Sequence, residues 1–157
     1  MDVLEAIKNR RSVRAFTNET VSDEEVMKII DAARWAPSAG NIQPWEFVVV
    51  RDSKIKRGLS AAALDQTFIE EAPLVIVVCA VPGESAHRYG ERGRSLYCLQ
   101  DTAAATQGIL LAATELGLGS CWIGAFDGRS AAAALGLPPA LRPVAMVPVG
   151  QPLEAAT

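Results

Sequence analysis

The sequence predicts an α+β fold in which helices and strands interleave around a central sheet. Three observations carry this. Residues 74–81 form a β-branched run between Pro73 and Pro82, apolar on both faces, as a buried central strand requires. Val26, Ile29, Ile30 and Ala33 recur at helical spacing behind Ser22-Asp23-Glu24-Glu25, a capping box with Ser22 as N-cap and Glu25 at the third helical position. Residues 95–116 are rich in Ala and Leu with a weak polar face, which suits a helix in deep burial or at a subunit interface.

The remaining elements follow in order. Residues 2–10 read as a short helix with Val3, Leu4 and Ile7 on one face. Pro37 stops the helix that Ser22 starts. Residues 46–51, with three consecutive valines, read as a strand. Residues 53–63 and 65–71 read as helices. Residues 82–94 hold one proline, three glycines and several charges. They read as a loop, of a length that points to a lid or a substrate-facing element. Gly117 and Gly119 end the long helix. A strand over 120–126, a short helix over 130–135 and a turn at Leu137-Pro138-Pro139 follow. The last strand covers 144–149, with Pro148 placed at an edge or a bulge. The predicted order is α-α-β-α-α-β-α-β-α-β.

At 157 residues one domain is expected, large enough for a sizeable core. Half the residues are apolar and 21% are charged, as in an ordinary globular protein. The net charge of -3 argues against nucleic-acid and anionic-membrane partners. Cys79, Cys98 and Cys121 form no CxxC pair, and their odd number suits a reducing compartment. Cys79, inside the apolar run, reads as a buried thiol. His87 is the only histidine, too little for a Ser-His-Asp triad or a histidine metal site. No catalytic side chain and no metal site is therefore expected. Residues 1–20 are charged and lack the apolar segment of a signal peptide. The longest apolar run is too short to span a bilayer. A cytoplasmic location is the expectation.

Two segments near the N-terminus carry most of the chemistry. Arg10-Arg11-Ser12-Val13-Arg14 packs three guanidinium groups and a hydroxyl into five residues just past a short helix. A guanidinium binds phosphate bidentately and stays charged at any physiological pH. A solvated basic helix end, favoured by the C-terminal dipole, accounts for the same spacing. The second segment runs from Ala36-Pro37-Ser38-Ala39-Gly40 through Asn41-Ile42-Gln43-Pro44-Trp45. Its prolines limit freedom, while Gly40 permits an unusual backbone angle. Asn41 can both donate and accept, as a flavin edge requires. The alternative is a helix-to-strand connection in which Asn41 and Gln43 cap backbone groups. Trp45 leads into a strand and reads as core. Together the segments suit an anionic, planar, hydrogen-bond-rich ligand such as a phosphorylated flavin. The later Gly117-Leu118-Gly119 is not a dinucleotide fingerprint, because its glycines follow a helix and open a strand.

These two segments and Gly117-Leu118-Gly119-Ser120-Cys121-Trp122-Ile123-Gly124, in this order, resemble the nitroreductase superfamily of FMN-dependent oxidoreductases over nearly the whole chain. The resemblance implies a three-layer α/β/α sandwich with a mixed, mostly antiparallel central sheet. It implies a single FMN-binding domain over 1–157 and a homodimer with FMN at the interface. The implied cofactor-binding residues are Arg10, Arg11, Ser12, Arg14, Pro37, Ser38, Ala39, Asn41, Gln43, Trp122, Ile123 and Gly124. Arg10, Ser12 and Arg14 would meet the phosphate, ribityl chain or pyrimidine edge. The proline loop would touch the flavin at the dimer interface, in some members from the second subunit. The backbone near Trp122, Ile123 and Gly124 would approach the N5 and O4 edge, where an N–H stabilises charge on the reduced ring.

The implied reaction is a ping-pong hydride transfer from NADH or NADPH to a small acceptor: a nitroaromatic, a quinone or a flavin. Other flavin chemistry such as dehalogenation, and a non-catalytic flavin-binding or storage module, are the alternatives. Larger relatives complete the phosphate site with a basic C-terminal extension, whereas residues 153–157 hold no Lys or Arg. The phosphate is thus expected to depend on Arg10 and Arg14, with Arg142 and Arg129 as further candidates. His87, Arg88, Tyr89 and Arg92 are candidates for substrate or nicotinamide contact, against the plainer reading of a mobile solvated loop. Tyr97, Asp101 and Gln107 are further pocket-lining candidates.

Overall fold

A computed structural model of the protein describes residues 1–153. Residues 154–157, the end of the expected 1–157 domain, lie outside the described residues. Helices α1 (Val3–Asn9), α2 (Asp23–Arg34), α3 (Ser53–Ala62), α4 (Phe68–Glu71), α5 (Pro82–Arg92), α6 (Cys98–Glu115) and α7 (Gly128–Leu135) interleave with four strands. These are β1 (Trp45–Val50), β2 (Leu74–Ala80), β3 (Gly119–Ser120) and β4 (Arg142–Gly150). The strands lie in the order β1-β2-β4-β3, and every neighbouring pair is antiparallel. One parallel bridge, Ser12 to Ser120, lays the segment after α1 along β3. The sheet is mixed only at that edge.

Every residue of β2 is buried, and alternate side chains face opposite layers. Leu74, Ile76 and Val78 pack with Val26 and Ile29 of α2 and Ala105 and Ile109 of α6. Val75, Val77 and Cys79 pack with Leu59 of α3 and Ala131 of α7. The result is the expected α/β/α sandwich. Burying each large side chain of this strand stabilises the fold by about 1.5–3 kcal/mol. Trp45 is buried in the first of these clusters, as its place before a strand predicts.

The capping box of α2 forms as the sequence predicts. Glu25 N–H donates to Ser22 Oγ at 3.1 Å, and Ser22 N–H donates to the Glu25 carboxylate at 3.1 Å. Such a cap contributes about 1 kcal/mol. Asp2 and Glu5 make the same exchange at the start of α1. The apolar face of α1, however, looks away from the core. Val3, Leu4 and Ile7 are 71%, 67% and 47% exposed, and Ala6 alone in α1 is buried.

Several elements differ from the sequence expectation. Residues 82–94 are mostly helical, not a loop. Pro82 opens α5 at its first turn, where a missing N–H is harmless. Gly90, at φ 60° and ψ −141°, kinks the helix, a conformation open essentially to glycine alone. Gly93 packs so tightly on the Ser85 carbonyl that no Cβ fits. Two of the three glycines thus serve a kink and a close contact within helical backbone. A π-helical turn, Gly93–Tyr97, then leads into α6, which takes up the start of the expected 95–116 helix. The expected 65–71 helix shrinks to α4 because Leu64 and Asp65 adopt left-handed φ values of 60° and 56°.

The expected strand over 120–126 is confined to β3 and one later bridge. Ser120 pairs with Val149 and Ile123 with Met146, which sets Pro148 opposite Cys121. Met146 N–H donates towards Ile123, so the nitrogen of Pro148, two residues on, faces the same side. It has no hydrogen to give, and the ladder lapses over residues 121–122. Pro148 therefore lies in an internal strand, at neither the edge nor the bulge expected of it, and faces a gap in its neighbour.

The segment after α1 docks through Val13, whose N–H donates to Ser120 O at 2.9 Å. A Cβ on Gly119 would fall 2.8–2.9 Å from three Val13 side-chain atoms. Gly119→Ala is therefore expected to destabilise the protein by roughly 1–3 kcal/mol in urea unfolding, with Val13→Ala as a second change recovering part of the loss. An unchanged unfolding midpoint would show that this segment is not docked on β3.

Candidate functional site

The Val13 anchor points the flanking residues outward. Val13 and Phe16 are buried with Ala72 and packed by Phe68, and the buried Lys56 Nζ donates to Ala72 O at 2.7 Å. Arg10 ends α1, donating its N–H to Ala6 O. Ser12 and Arg14 are exposed. Arg11 turns back, donating Nη1 to Lys8 O at 2.6 Å and to Arg10 O at 2.9 Å. Its guanidinium closes the helix end, as the dipole reading anticipates.

Cys121, buried one residue beyond β3, reports where the others converge. Burial pushes its thiol pKa up, and the Arg14 charge, the Ser12 hydroxyl and the Arg10 charge oppose that rise. Among the described residues the ion pairs are Met1 amine–Glu115, Lys28–Glu24 and Arg51–Asp23. None involves Arg10, Arg11 or Arg14. The guanidiniums of half-buried Arg10 and exposed Arg14 and the Ser12 hydroxyl, without a carboxylate to offset them, are a donor set that fits a phosphate.

The proline loop contains a single turn, Ala39–Asn41, with three left-handed residues: Gly40, Asn41 and Gln43, at φ 61°, 56° and 57°. For the two non-glycines this conformation is strained by about 1 kcal/mol or more each. Four side-chain contacts hold it, beside the backbone bonds of the turn. Gln43 N–H donates to Ser38 Oγ at 3.0 Å, and Gln43 Nε2 donates to Asn41 Oδ1 at 2.9 Å. Ala39 N–H donates to the Asp101 carboxylate, 3.2 and 3.3 Å from its two oxygens. Arg88 Nη1 of α5 donates to Gly40 O at 3.3 Å. The two side-chain amides bond each other and do not cap backbone groups, leaving the Asn41 amide nitrogen free as an exposed donor. Pro37 is exposed, and Ser38 and Ala39 are half-buried.

In the third segment Ile123 is buried, and it exchanges both backbone hydrogen bonds with Met146, at 2.8 and 3.0 Å. Its N–H is committed to the sheet. Trp122 and Gly124 are exposed and line an open cavity of about 960 Å³ with Leu99, Phe126 and Arg142. A Cβ on Gly124 would meet nothing closer than 3.9 Å, so the backbone there stands clear for a ligand.

One chain brings the arginine segment to the glycine segment but leaves the proline loop apart. The arginine segment sits beside Ser120, which pairs with Val149 near the end of β4. The loop feeds Trp45, which pairs with Ala80, itself opposite Arg142 at the start of β4. Nearly the length of β4 and the whole width of the sheet separate them, on the order of 30 Å.

Sequence reasoning placed Asp101 only as a pocket-lining candidate. Its role is to fasten the loop to α6, and its signal was a carboxylate inside an Ala-rich helix whose only other acidic residue, Glu115, is its last. Burial pushes its pKa up, and the Ala39 N–H draws it partly back. The three cysteines are free and buried, and burial pushes the Cys79 thiol up to about 11. Among the described residues no helix is long and apolar enough to cross a membrane.

This fold is shared with known proteins. A family model described as the nitroreductase family matches residues 7–75 and 60–151. A protein of Archaeoglobus fulgidus, named for an unproven NADH dehydrogenase/NAD(P)H nitroreductase function, is 39% identical over 98% of this chain and 87% of its own. The FMN reductase [NAD(P)H] of Bacillus subtilis is 30% identical over 98% of this chain and 67% of its own. The crystal structure of a nitroreductase family protein from Clostridium novyi NT superposes with a TM-score of 0.87. It is 35% identical and matches 98% of this chain and 87% of that one. Fold and similarity together define an oxidoreductase. The chain belongs to the nitroreductase family.

Asp101→Ala is expected to leave the Ala39 N–H without its acceptor, lowering stability by about 1–3 kcal/mol and speeding hydrogen exchange at Ala39. Asp101→Asn keeps an acceptor and should lose less. A carboxyl whose folded pKa is raised binds its proton more tightly when folded, so its contribution falls as pH rises through that shifted value. Asp101→Asn should flatten this slope just above the ordinary carboxylate range; urea unfolding across pH reads it.

Proposed function

We propose that this chain is an FMN-dependent NAD(P)H oxidoreductase that works as a homodimer, each flavin held between subunits. The separation of the arginine segment and the proline loop to opposite corners of the sheet carries this reading. Both suit one flavin, yet about 30 Å exceeds the reach of a single flavin mononucleotide. A second copy of the chain supplies the loop that the first lacks nearby. The chain has a face to offer such a copy. The exposed Val3, Leu4 and Ile7 adjoin an apolar groove of about 340 Å³ lined by Val3, Ala6, Ala32, Gly108 and Leu111.

In this reading Arg10 and Arg14 hold the phosphate with charge-assisted hydrogen bonds, and Ser12 adds a hydroxyl. Arg11 holds the end of α1. The partner's proline loop presents the Asn41 amide to the polar edge of the ring. Trp122 flanks the ring, and Gly124 allows a backbone N–H to approach where negative charge develops. When bound, FMN carries hydride from NADH or NADPH to a small acceptor, the two substrates using one face in turn. The names of the Bacillus subtilis and Archaeoglobus fulgidus relatives, an FMN reductase and an NAD(P)H nitroreductase, support the cofactor and the reductant. Nitroaromatics, quinones and free flavins are the acceptor classes that the family resemblance implies. The chain acts as one FMN-binding domain in the cytoplasm, where its free thiols stay reduced.

Arg10→Ala should weaken FMN binding by roughly 1.5–3 kcal/mol, on the order of tenfold to a hundredfold in Kd, whereas Arg11→Ala should change it little. Flavin fluorescence quenching measures both, and equal losses would refute the division of labour among the arginines. Sedimentation of the FMN-loaded protein should give a dimer at micromolar concentration. A monomer that keeps its flavin would end the shared-site reading.

A further inference from the structure

Helix α5 presses its cationic side on the proline loop. A Cβ on Gly40 would lie 2.6 Å from Tyr89 Oη and 2.7 Å from Arg88 Nη1. Tyr89 and Tyr97 meet edge to face, with centroids 5.2 Å apart and an interplanar angle of 84°. The Arg88 guanidinium carbon lies 5.4 Å from the Tyr89 ring centroid, and that of Arg92 lies 5.3 Å from the Tyr97 centroid. Arg92 Nε donates to Tyr97 Oη at 2.9 Å. Both guanidiniums are thus ordered by aromatic rings. Neither is among the ion pairs of the described residues, although Glu84 and Glu91 share the helix. Ordered, exposed guanidiniums without a carboxylate partner, in a chain of net charge -3, are a local anion trap.

We propose that Arg88 and Arg92 are a specificity-determining pair that takes the phosphate groups of the nicotinamide dinucleotide. The inference rests on the flavin reading above. Because the loop beside Arg88 is the one assigned to the flavin edge, a nicotinamide lying against that ring leaves its phosphates to be met by α5. The Nε of Arg92 is already committed to Tyr97, which leaves its terminal nitrogens as a fork for phosphate oxygens. Arg88 keeps its second terminal nitrogen free while the first holds Gly40 O.

The test is calorimetric titration of the FMN-reconstituted protein with NADP+ and with NAD+, comparing wild type, Arg92→Gln and Arg88→Gln/Arg92→Gln. The double variant should raise Kd on the order of tenfold to a hundredfold, with Arg92→Gln between. Loss for both dinucleotides assigns the pair to the pyrophosphate; loss for NADP+ alone assigns it to the 2′-phosphate. In anaerobic bleaching of the flavin, the loss for NADPH or NADH should exceed by at least tenfold any change with phosphate-free 1-benzyl-1,4-dihydronicotinamide. Unchanged Kd values, equal losses with the phosphate-free reductant, or a wild type that binds neither dinucleotide would overturn the proposal. A wild type that retains no flavin after desalting would overturn the functional reading instead. The same titration on the flavin-free protein would then still read whether Arg88 and Arg92 bind the dinucleotide phosphates.

Discussion

Strand β2 constrains everything else. Its seven residues are all buried and apolar, so both faces of the sheet must be covered. Helices α2 and α6 take one face, and α3 and α7 the other. With both faces occupied, the chain's polar chemistry is left to the strand ends and the sheet edges. Antiparallel pairing of β2 with both β1 and β4 then sends the start of β1 and the end of β4 to opposite corners. The proline loop enters at the first corner and the arginine segment docks at the second. Their distance is a consequence of the core.

The β3 edge shows how a few residues shape a site. Gly119 lets the Val13 side chain sit on the strand backbone, which fixes where Arg10, Ser12 and Arg14 emerge. Pro148 then withholds one ladder hydrogen bond opposite Cys121. Released from the sheet, the chain turns the Cys121 side chain inward and Trp122 outward, 2% and 40% exposed. Ile123 re-anchors it on Met146.

Much of this was legible in the sequence because it is encoded locally. The Ser22 box, the two-faced apolar run of β2 and the glycine stop after α6 depend on neighbours within a few residues, and the structure has them all. The layers and the family were legible too, from motif order. What failed needed tertiary information. Residues 82–94 read as a loop because Gly90 and Gly93 are poor helix formers, yet one makes a kink and the other packs on Ser85. The exposure of Val3, Leu4 and Ile7 was invisible because helical periodicity reveals a shared face but not what covers it. Pro148 was misplaced because its position depends on a partner strand more than twenty residues away. In the candidate site, the residue types were legible and their division was not. Arg11 looks like its neighbours in sequence, and only its bonds to Lys8 and Arg10 set it apart.

The proline loop unites these themes. It holds two strained non-glycine residues and little buried apolar surface, so its shape depends on polar contacts from Asp101, Ser38 and Arg88. Two of these come from α6 and α5. A loop ordered in this way within the free chain meets its ordering cost during folding, leaving less to be overcome when it docks on a ligand. In the proposed dimer this matters twice. A second copy that covers the apolar face of α1 would also deliver a preformed loop to the first chain's flavin. Flavin binding then stabilises association, and association strengthens flavin binding, because each favours the same assembled state. Cofactor affinity in such a dimer is a property of the pair of chains, with determinants on both sides of the interface.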